Sequence, residues 1–125
     1  MGRATVWVIS GEQWPRAYLR AELIERGFDA AGFAGLADAL AALSTPRATP
    51  PVVIALDLCD LLLTGEDLSA LTRTGIPVVL LGGVLDLPPE RFSRGACARI
   101  LRRPFTIGQA ADAVEEVWRN PFRSP

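Results

Sequence analysis

A short apolar run from Val52 to Leu58, interrupted only by Asp57 near its end, constrains the fold most strongly. Runs of this length without polar alternation are typical of central strands in parallel sheets, because helices cover such strands on both faces. A similar run extends from Ile76 to Leu81, and Thr5 to Ser10 is rich in β-branched and aromatic residues. These segments predict a sheet that is buried on both sides.

Helical segments with an apolar face separate the predicted strands. Pro15 opens the first helix and Gly27 ends it, in the positions that these residues favour. Its predicted apolar stripe consists of Tyr18, Leu19, Leu23 and Ile24. The other predicted elements are a weak strand at Asp29–Phe33, a helix with Leu36, Ala39, Leu40 and Leu43 inside, a short helix within Leu61–Thr72, helical turns at Pro88–Arg94, a thin strand at Ala98–Arg102 and an amphipathic helix at Thr106–Trp118. Alternation of five strands with helices predicts a doubly wound, five-stranded parallel α/β sheet with helices on both faces.

Composition narrows the class of protein. The chain has 125 residues, of which 50% are hydrophobic, which fits a single domain, residues 1–125, with a core over about 4–119 and a short tail at 120–125. A net charge of −1 offers no basic field for nucleic acid or anionic membranes. The sequence has no histidine, and its two cysteines, Cys59 and Cys97, lie far apart, which argues against a zinc site or a Ser-His-Asp triad. Without a signal-peptide pattern or a bilayer-spanning apolar run, a cytoplasmic location is expected.

Ligands of doubly wound sheets bind beyond the carboxyl ends of the strands, near the point where the strand order reverses. The candidate positions there are Ser10–Gln13, Asp57–Asp60, Gly82-Gly83 and Arg102-Arg103. No GxGxxG fingerprint or P-loop follows the first strand, so the sequence does not indicate a nucleotide site. The tryptophans are predicted to pack in the core or at its edge rather than to hold a cofactor: Trp7, Trp14 and Trp118.

Four segments occur in a characteristic order. Gly27 to Leu40 covers the end of a helix, a strand and a second helix, Pro51 to Leu58 and Ile76 to Leu81 are apolar strands, and Arg103-Pro104-Phe105 follows the last strand. Together they resemble bacterial response-regulator receiver domains, the CheY-like, flavodoxin-like modules of two-component signalling, which have Lys-Pro-Phe at the last position. The resemblance implies a receiver-type fold, a phosphoacceptor at Asp57 and a cis peptide bond between Arg103 and Pro104.

The metal-binding residues of that family are largely missing. Receivers hold Mg²⁺ through an acidic pair after the first strand and through the phosphoacceptor, because this hard cation prefers carboxylate oxygens. By the resemblance, the acidic pair falls on Ser10 and Gly11, and Glu12 is displaced by one position. A magnesium site formed by Glu12 and Asp57, assisted by Asp60, is retained as an alternative, since clustered carboxylates repel one another without a cation.

The switch residues of the family also differ. Gly82 replaces the hydroxyl residue at the end of the fourth strand, Ile100 replaces the switch aromatic and Arg103 replaces the lysine. The stretch from Gly95 to Arg103 is one residue longer than the family pattern, which affects the assignment of Ile100. Gly82-Gly83 is interpreted as a loop that no longer needs a switch hydroxyl, with close approach of a ligand as the alternative.

Arg103 suggests a different role for Asp57. An arginine fork suits a bidentate carboxylate pair, whereas lysine acts as a mobile point charge. We therefore hypothesise that Arg103 holds Asp57 in a fixed ion pair that replaces the metal and phosphoryl contacts. The alternatives for Asp57 are a phosphoacceptor nucleophile and a strand-end carboxylate that caps backbone amides.

The favoured function is a degenerate, or pseudo-receiver, domain of two-component or phosphorelay signal transduction. It acts through protein–protein interaction and is not an enzyme. By the resemblance, its surface for a histidine kinase, a downstream effector or a homodimer is formed by the family's fourth helix, fifth strand and fifth helix, here Arg91–Ile100 and Ala110–Trp118, with Trp118 and Phe122 as aromatic anchors. The alternatives are a functional receiver phosphorylated on Asp57 by a histidine kinase and a small-ligand binding domain with a flavodoxin-like fold.

Overall fold

The computed structural model describes residues 3–46, 49–58, 64–82 and 97–121. Its strands are β1 (Thr5–Ile9), β2 (Asp29–Phe33), β3 (Val53–Asp57), β4 (Val78–Gly82) and β5 (Cys97–Arg102). The helices in the described ranges are α1 (Gln13–Glu25), α2 (Leu36–Leu43), α3 (Gly65–Thr74) and α4 (Ile107–Arg119). The helical turns predicted at Pro88–Arg94 lie outside the described residues, and none of the described helices is long and apolar enough to cross a membrane.

The strands form a five-stranded parallel sheet in the order β2-β1-β3-β4-β5. The predicted doubly wound α/β fold is confirmed. Because the chain places β2 on one side of β1 and β3 on the other, the strand order reverses at β1. The carboxyl ends of β1 and β3 therefore frame the crevice in which ligands of such sheets bind.

Helices cover both faces of the sheet, and this explains the apolar runs. Side chains alternate between the faces of a strand, so Val6 and Val8 of β1 pack on one face while Trp7 and Ile9 pack on the other. The first face is covered by α1 and α4, and the second by α2 and α3. Every residue of β3 and β4 is buried.

The end of α1 confirms the role predicted for Gly27, but the apolar stripe is narrower than predicted. Gly27 has φ +98°, and its N–H donates to the Ile24 carbonyl at 3.0 Å while the Phe28 N–H donates to the Leu23 carbonyl at 3.1 Å, which is a Schellman motif. Only Leu19 and Leu23 of the predicted stripe are buried, whereas Tyr18 and Ile24 are 58% and 44% exposed. A step of one residue turns a helix by about 100°, which carries Tyr18 and Ile24 away from the core.

A β-bulge in β5 absorbs the extra residue noted in the sequence. Val78 pairs with Cys97 and Val79 pairs with Arg99, so the register skips Ala98. Ala98 and Leu101 are three positions apart yet pack on the same face of the sheet, which a regular strand with a period of two does not allow. After the bulge, Ile100 pairs with Leu80 and packs against the core on the α2/α3 face.

Side-chain caps define the starts of two helices. Thr106 caps α4 and exchanges hydrogen bonds with Gln109, and Thr64 exchanges the equivalent bonds with Asp67 of α3. The cap at Thr64 begins α3 at Gly65, inside the predicted Leu61–Thr72 segment, and the helix continues two residues beyond that segment to Thr74. Two of the tryptophans pack as predicted, since Trp7 is in the core and Trp118 lies edge-on against Phe28. The prediction for Trp14 is wrong, because its side chain is 65% exposed.

Candidate functional site

Three polar side chains meet beyond the carboxyl ends of β1, β3 and β5. Ser10 follows β1 directly, Asp57 is the last residue of β3, and Arg103 follows β5. The parallel sheet brings these ends to the same edge, which is where the sequence predicted a site. Ser10 and Asp57 are 1% and 2% exposed and are the buried polar residues of the described chain.

The carboxylate of Asp57 is bound by an arginine and a serine. Nη2 of Arg103 lies 3.1 Å from both Oδ1 and Oδ2 of Asp57, and the hydroxyl of Ser10 donates to Oδ2 at 3.0 Å. A buried carboxylate needs a counter-charge and hydrogen-bond donors, and these two residues provide both.

The arginine binds Asp57 differently from the expected fork. A single nitrogen, Nη2, contacts both oxygens, whereas a bidentate pair uses two nitrogens in parallel. Nη1 of Arg103 is buried and has no hydrogen-bond partner among the described residues. The two side chains are thus in contact through one guanidinium nitrogen and not through the two that an arginine fork can offer. Arg103 reaches Asp57 across β4, from two strands away in the sheet.

Ser10 connects Asp57 to the loop between β1 and α1. Its hydroxyl oxygen accepts from the Glu12 N–H at 3.2 Å while its proton is donated to Asp57. Its N–H donates to the Phe33 carbonyl at 3.0 Å, and its carbonyl accepts from Nη1 of Arg16 at 2.7 Å. The loop between β1 and α1 is thus held by Ser10, a candidate position for which the sequence did not predict these contacts.

Arg16 was also missed by the sequence analysis. Its stem lies across Gly32 of β2, where an added Cβ would come within 3.1 Å of Cγ and Cδ of Arg16 and within 2.9 Å of Cδ of Arg20. Nε of Arg20 donates to the Ala30 carbonyl at 3.1 Å. Gly32 therefore leaves the space that allows Arg16 to reach Ser10. An arginine beside a helix stripe is usually solvated, so the sequence carries no signal for this contact.

The segment after β5 holds Arg103 from both ends. Its backbone N–H donates to the Gly82 carbonyl at 2.8 Å, and its guanidinium lies 5.0 Å from the centre of the Phe105 ring, a cation–π distance. The bond between Arg103 and Pro104 is cis, as predicted. Gly82 is buried and contributes its backbone carbonyl, so this strand end supports Arg103 instead of offering a hydroxyl.

The described residues offer few ligands for a magnesium ion. Asp57 already binds the cationic guanidinium of Arg103 at 3.1 Å, and a second cation beside it would be repelled. No group of three or more carboxylate, cysteine or histidine side chains that could hold a metal occurs within the described ranges. Glu12 is half-buried next to the loop, and Asp60 lies outside the described residues. The Glu12–Asp57 magnesium site stays an untested prediction.

Other predicted positions lie partly outside the described ranges. Gly83, Cys59 and Phe122 are not among the described residues. Of the predicted partner surface, β5 and α4 are described, and an ion pair of 2.7 Å between Arg99 and Glu116 joins them across their exposed side.

Comparisons with known proteins identify the fold. No protein-family model matches the sequence, and no curated protein is significantly similar to it. The solved structures that resemble it include a response-regulator receiver domain protein from Clostridium thermocellum, with a TM-score of 0.76, 20% identity and coverage of 94% of this chain and 96% of that one. The receiver domain of the Francisella response regulator 1452 has a TM-score of 0.72 and 18% identity, covering 94% of this chain and 98% of its own. The chemotaxis response regulator CheY4 of Vibrio cholerae has a TM-score of 0.72 and 20% identity, covering 92% of this chain and 98% of its own. This chain therefore has the fold of response-regulator receiver domains.

Proposed function

We propose that this chain is a receiver-type domain of two-component signalling in which a fixed Arg103–Asp57 ion pair replaces the phosphorylation switch. The contact of Nη2 of Arg103 with both oxygens of Asp57, at 3.1 Å, is the observation that carries the proposal. The output of such a domain is a constitutive protein-binding surface. It catalyses no reaction of its own.

The contacts of Asp57 support a structural rather than a nucleophilic role. A carboxylate that attacks a phosphoryl group needs a free oxygen and cations that neutralise the incoming charge. Here Arg103 engages both oxygens and Ser10 engages Oδ2 again. Removing the arginine from this partly solvated pair should cost about 1–3 kcal/mol, and attack would have to disrupt this arrangement first.

The residues around Asp57 also lack the groups that would report phosphorylation. Gly82 has no hydroxyl to follow a phosphoryl oxygen, and Ile100 is packed against the apolar core on the α2/α3 face. Ser10 donates a hydrogen bond from the position where receivers carry an acid. These features favour one conformation over a two-state switch.

The test is an amide NMR titration with Mg²⁺ and beryllofluoride, a phosphoryl mimic that binds a competent receiver aspartate. We expect no saturable shifts in the wild-type protein. Saturable shifts at Asp57, Gly82 and Arg103 that disappear in Asp57→Asn would overturn the proposal and favour a functional phosphoacceptor.

A variant with the missing receiver residues put back serves as the positive control if the wild-type protein shows no beryllofluoride-dependent shifts. Ser10→Asp, Gly11→Asp and Arg103→Lys together return the acidic pair and the lysine of the receiver pattern. A response of this variant, absent from the wild type and from the same variant with Asp57→Asn, supports the view that the three departures have disabled the site.

A further inference from the structure

Helix α1 is apolar on two faces. Leu19 and Leu23 pack into the core on one face. The opposite face carries exposed apolar residues at the spacing of a helical stripe: Trp14, Ala17, Tyr18, Ala21 and Ile24. We call these five residues the α1 outer stripe. The indole of Trp14 and the ring of Tyr18 stack with their centres 5.9 Å apart, which makes a continuous aromatic surface at its amino-terminal end.

The α1 outer stripe is large for a surface without a partner. Trp14, Tyr18 and Ile24 are 65%, 58% and 44% exposed, and an aromatic side chain buries roughly 150–250 Å² when it goes from full exposure to full burial. Two such stripes facing each other, with the backbone and alanines between them, would bury at most on the order of 1,000 Å², the size of a weak or transient interface. Isolated exposed apolar residues are ordinary, whereas a contiguous stripe marks an interaction surface.

The shape of the α1 outer stripe fits a second copy of itself in the antiparallel direction. Its bulky residues lie toward the amino-terminal end, and the small residues Ala17 and Ala21 are one turn apart in its middle. An antiparallel pair places Tyr18 of each copy over Ala21 of the other. The same arrangement places Trp14 of each copy beside Ile24 of the other. A parallel pair would set the bulky ends against each other and leave a gap between the alanines.

Charge favours the same direction. The amino-terminal end of α1 has no acidic residue in its first turn, and Glu12 caps it without a side-chain hydrogen bond. The last turn has no basic residue, and its Glu25 is exposed. An antiparallel pair separates the two Glu25 carboxylates. Each lies near the amino-terminal end of α1 in the other copy, where the helix dipole favours a negative charge and the Glu12 carboxylate opposes it. In a parallel pair, like ends would meet.

We propose that this chain forms a homodimer in which the α1 outer stripes of two copies pack antiparallel about a twofold axis. The contact is isologous, since the same residues serve both copies. This surface lies on α1 and is distinct from the surface of β5 and α4 that the sequence resemblance suggested. An interface of this size forms a weak, concentration-dependent dimer.

The test is sedimentation equilibrium of the full chain from micromolar to millimolar concentration. We expect the average mass of the wild-type protein to rise toward that of two chains. Ala21→Glu places two carboxylates near the twofold axis and should weaken the dimer at least about tenfold, since facing like charges are strongly unfavourable. Ala41→Glu makes the same change at an exposed position of α2 and should dimerise like the wild type.

The outcomes decide the proposal clearly. A wild-type protein that stays monomeric over the whole range overturns it, as does equal dimerisation of A21E and A41E. Circular dichroism and thermal melting check that A21E is folded. If it is not, Tyr18→Ser takes its place, because Tyr18 is exposed and its substitution removes apolar area from the α1 outer stripe without changing the packing of the core.

Discussion

Nη2 of Arg103 sits between the two carboxylate oxygens of Asp57, 3.1 Å from each. The side chain of Asp57 is 3% exposed while that of Arg103 is 32% exposed, so the two partners differ in environment. The arginine reaches in from the rim of the site, and the carboxylate is withdrawn from water. The ion pair therefore matters more to Asp57 than to Arg103, because burial keeps water from the carboxylate.

This asymmetry predicts the effect of removing the cation. Arg103→Gln should destabilise the protein by about 1–3 kcal/mol, below the usual range for a fully buried pair because Arg103 is partly solvated. Asp57→Asn in the same background should recover part of that loss, since a neutral amide no longer needs the guanidinium. Urea unfolding of the wild type, both single variants and the double variant gives the coupling free energy. Additive single effects would contradict a functioning ion pair.

The hydrogen bond from Ser10 to Asp57 gives a second prediction. Ser10→Ala removes a donor to a buried carboxylate and leaves the Glu12 N–H without its acceptor. We expect a loss of about 1.5–3 kcal/mol in the free energy of unfolding, as for hydrogen bonds to charged groups. The control is Ser44→Ala, since the Ser44 hydroxyl makes an exposed bond of 3.1 Å to the Leu40 carbonyl. Similar losses for both variants would show that Ser10 has no special role.

The strands were predictable because their environment leaves a direct trace in the sequence. A strand covered on both faces must be apolar throughout, and the runs ending at Asp57 and Leu81 show this. The edge strand β2 was a weaker prediction because its residues are exposed or half-buried. The carboxyl-end position of the site follows from the topology of the sheet, which places Asp57 and Arg103 at one edge.

The contacts within the site were less predictable because they depend on side chains from distant segments. The reach of Arg16 to Ser10 depends on the space above Gly32, and neither residue type signals it. The bulge at Ala98 could be suspected from the extra residue but not located. The exposed apolar face of α1 could not be predicted from the sequence, because Tyr18 and Ile24 are large apolar residues at a spacing that is typical of a buried helix face.

Gly32 should be required for the position of Arg16. Gly32→Ala would place a Cβ 2.9 Å from Cδ of Arg20 and 3.1 Å from Cδ of Arg16, so both stems must shift. Because these side chains are flexible, we expect a stability loss of only about 1 kcal/mol. The stronger signal should be NMR shifts of the Ser10 and Glu12 amides. Gly35→Ala, whose Cβ meets nothing within 4 Å, is the control and should leave those amides unchanged.

Substitution of Gly108 is predicted to increase the stability of the protein. It lies in the first turn of α4, where a Cβ would meet Oγ1 of Thr106 at 3.7 Å and Nη2 of Arg26 at 3.9 Å, both ordinary contact distances. Glycine inside a helix costs roughly 0.5–1 kcal/mol relative to alanine, because the unfolded chain has more freedom to lose. Gly108→Ala should therefore stabilise the protein by about that amount in urea unfolding. The bond from Arg26 to the Gly108 carbonyl involves the backbone, so the substitution leaves it intact. A loss of stability would mean that Arg26, which also pairs with Asp112 at 2.7 Å, cannot tolerate the added methyl group.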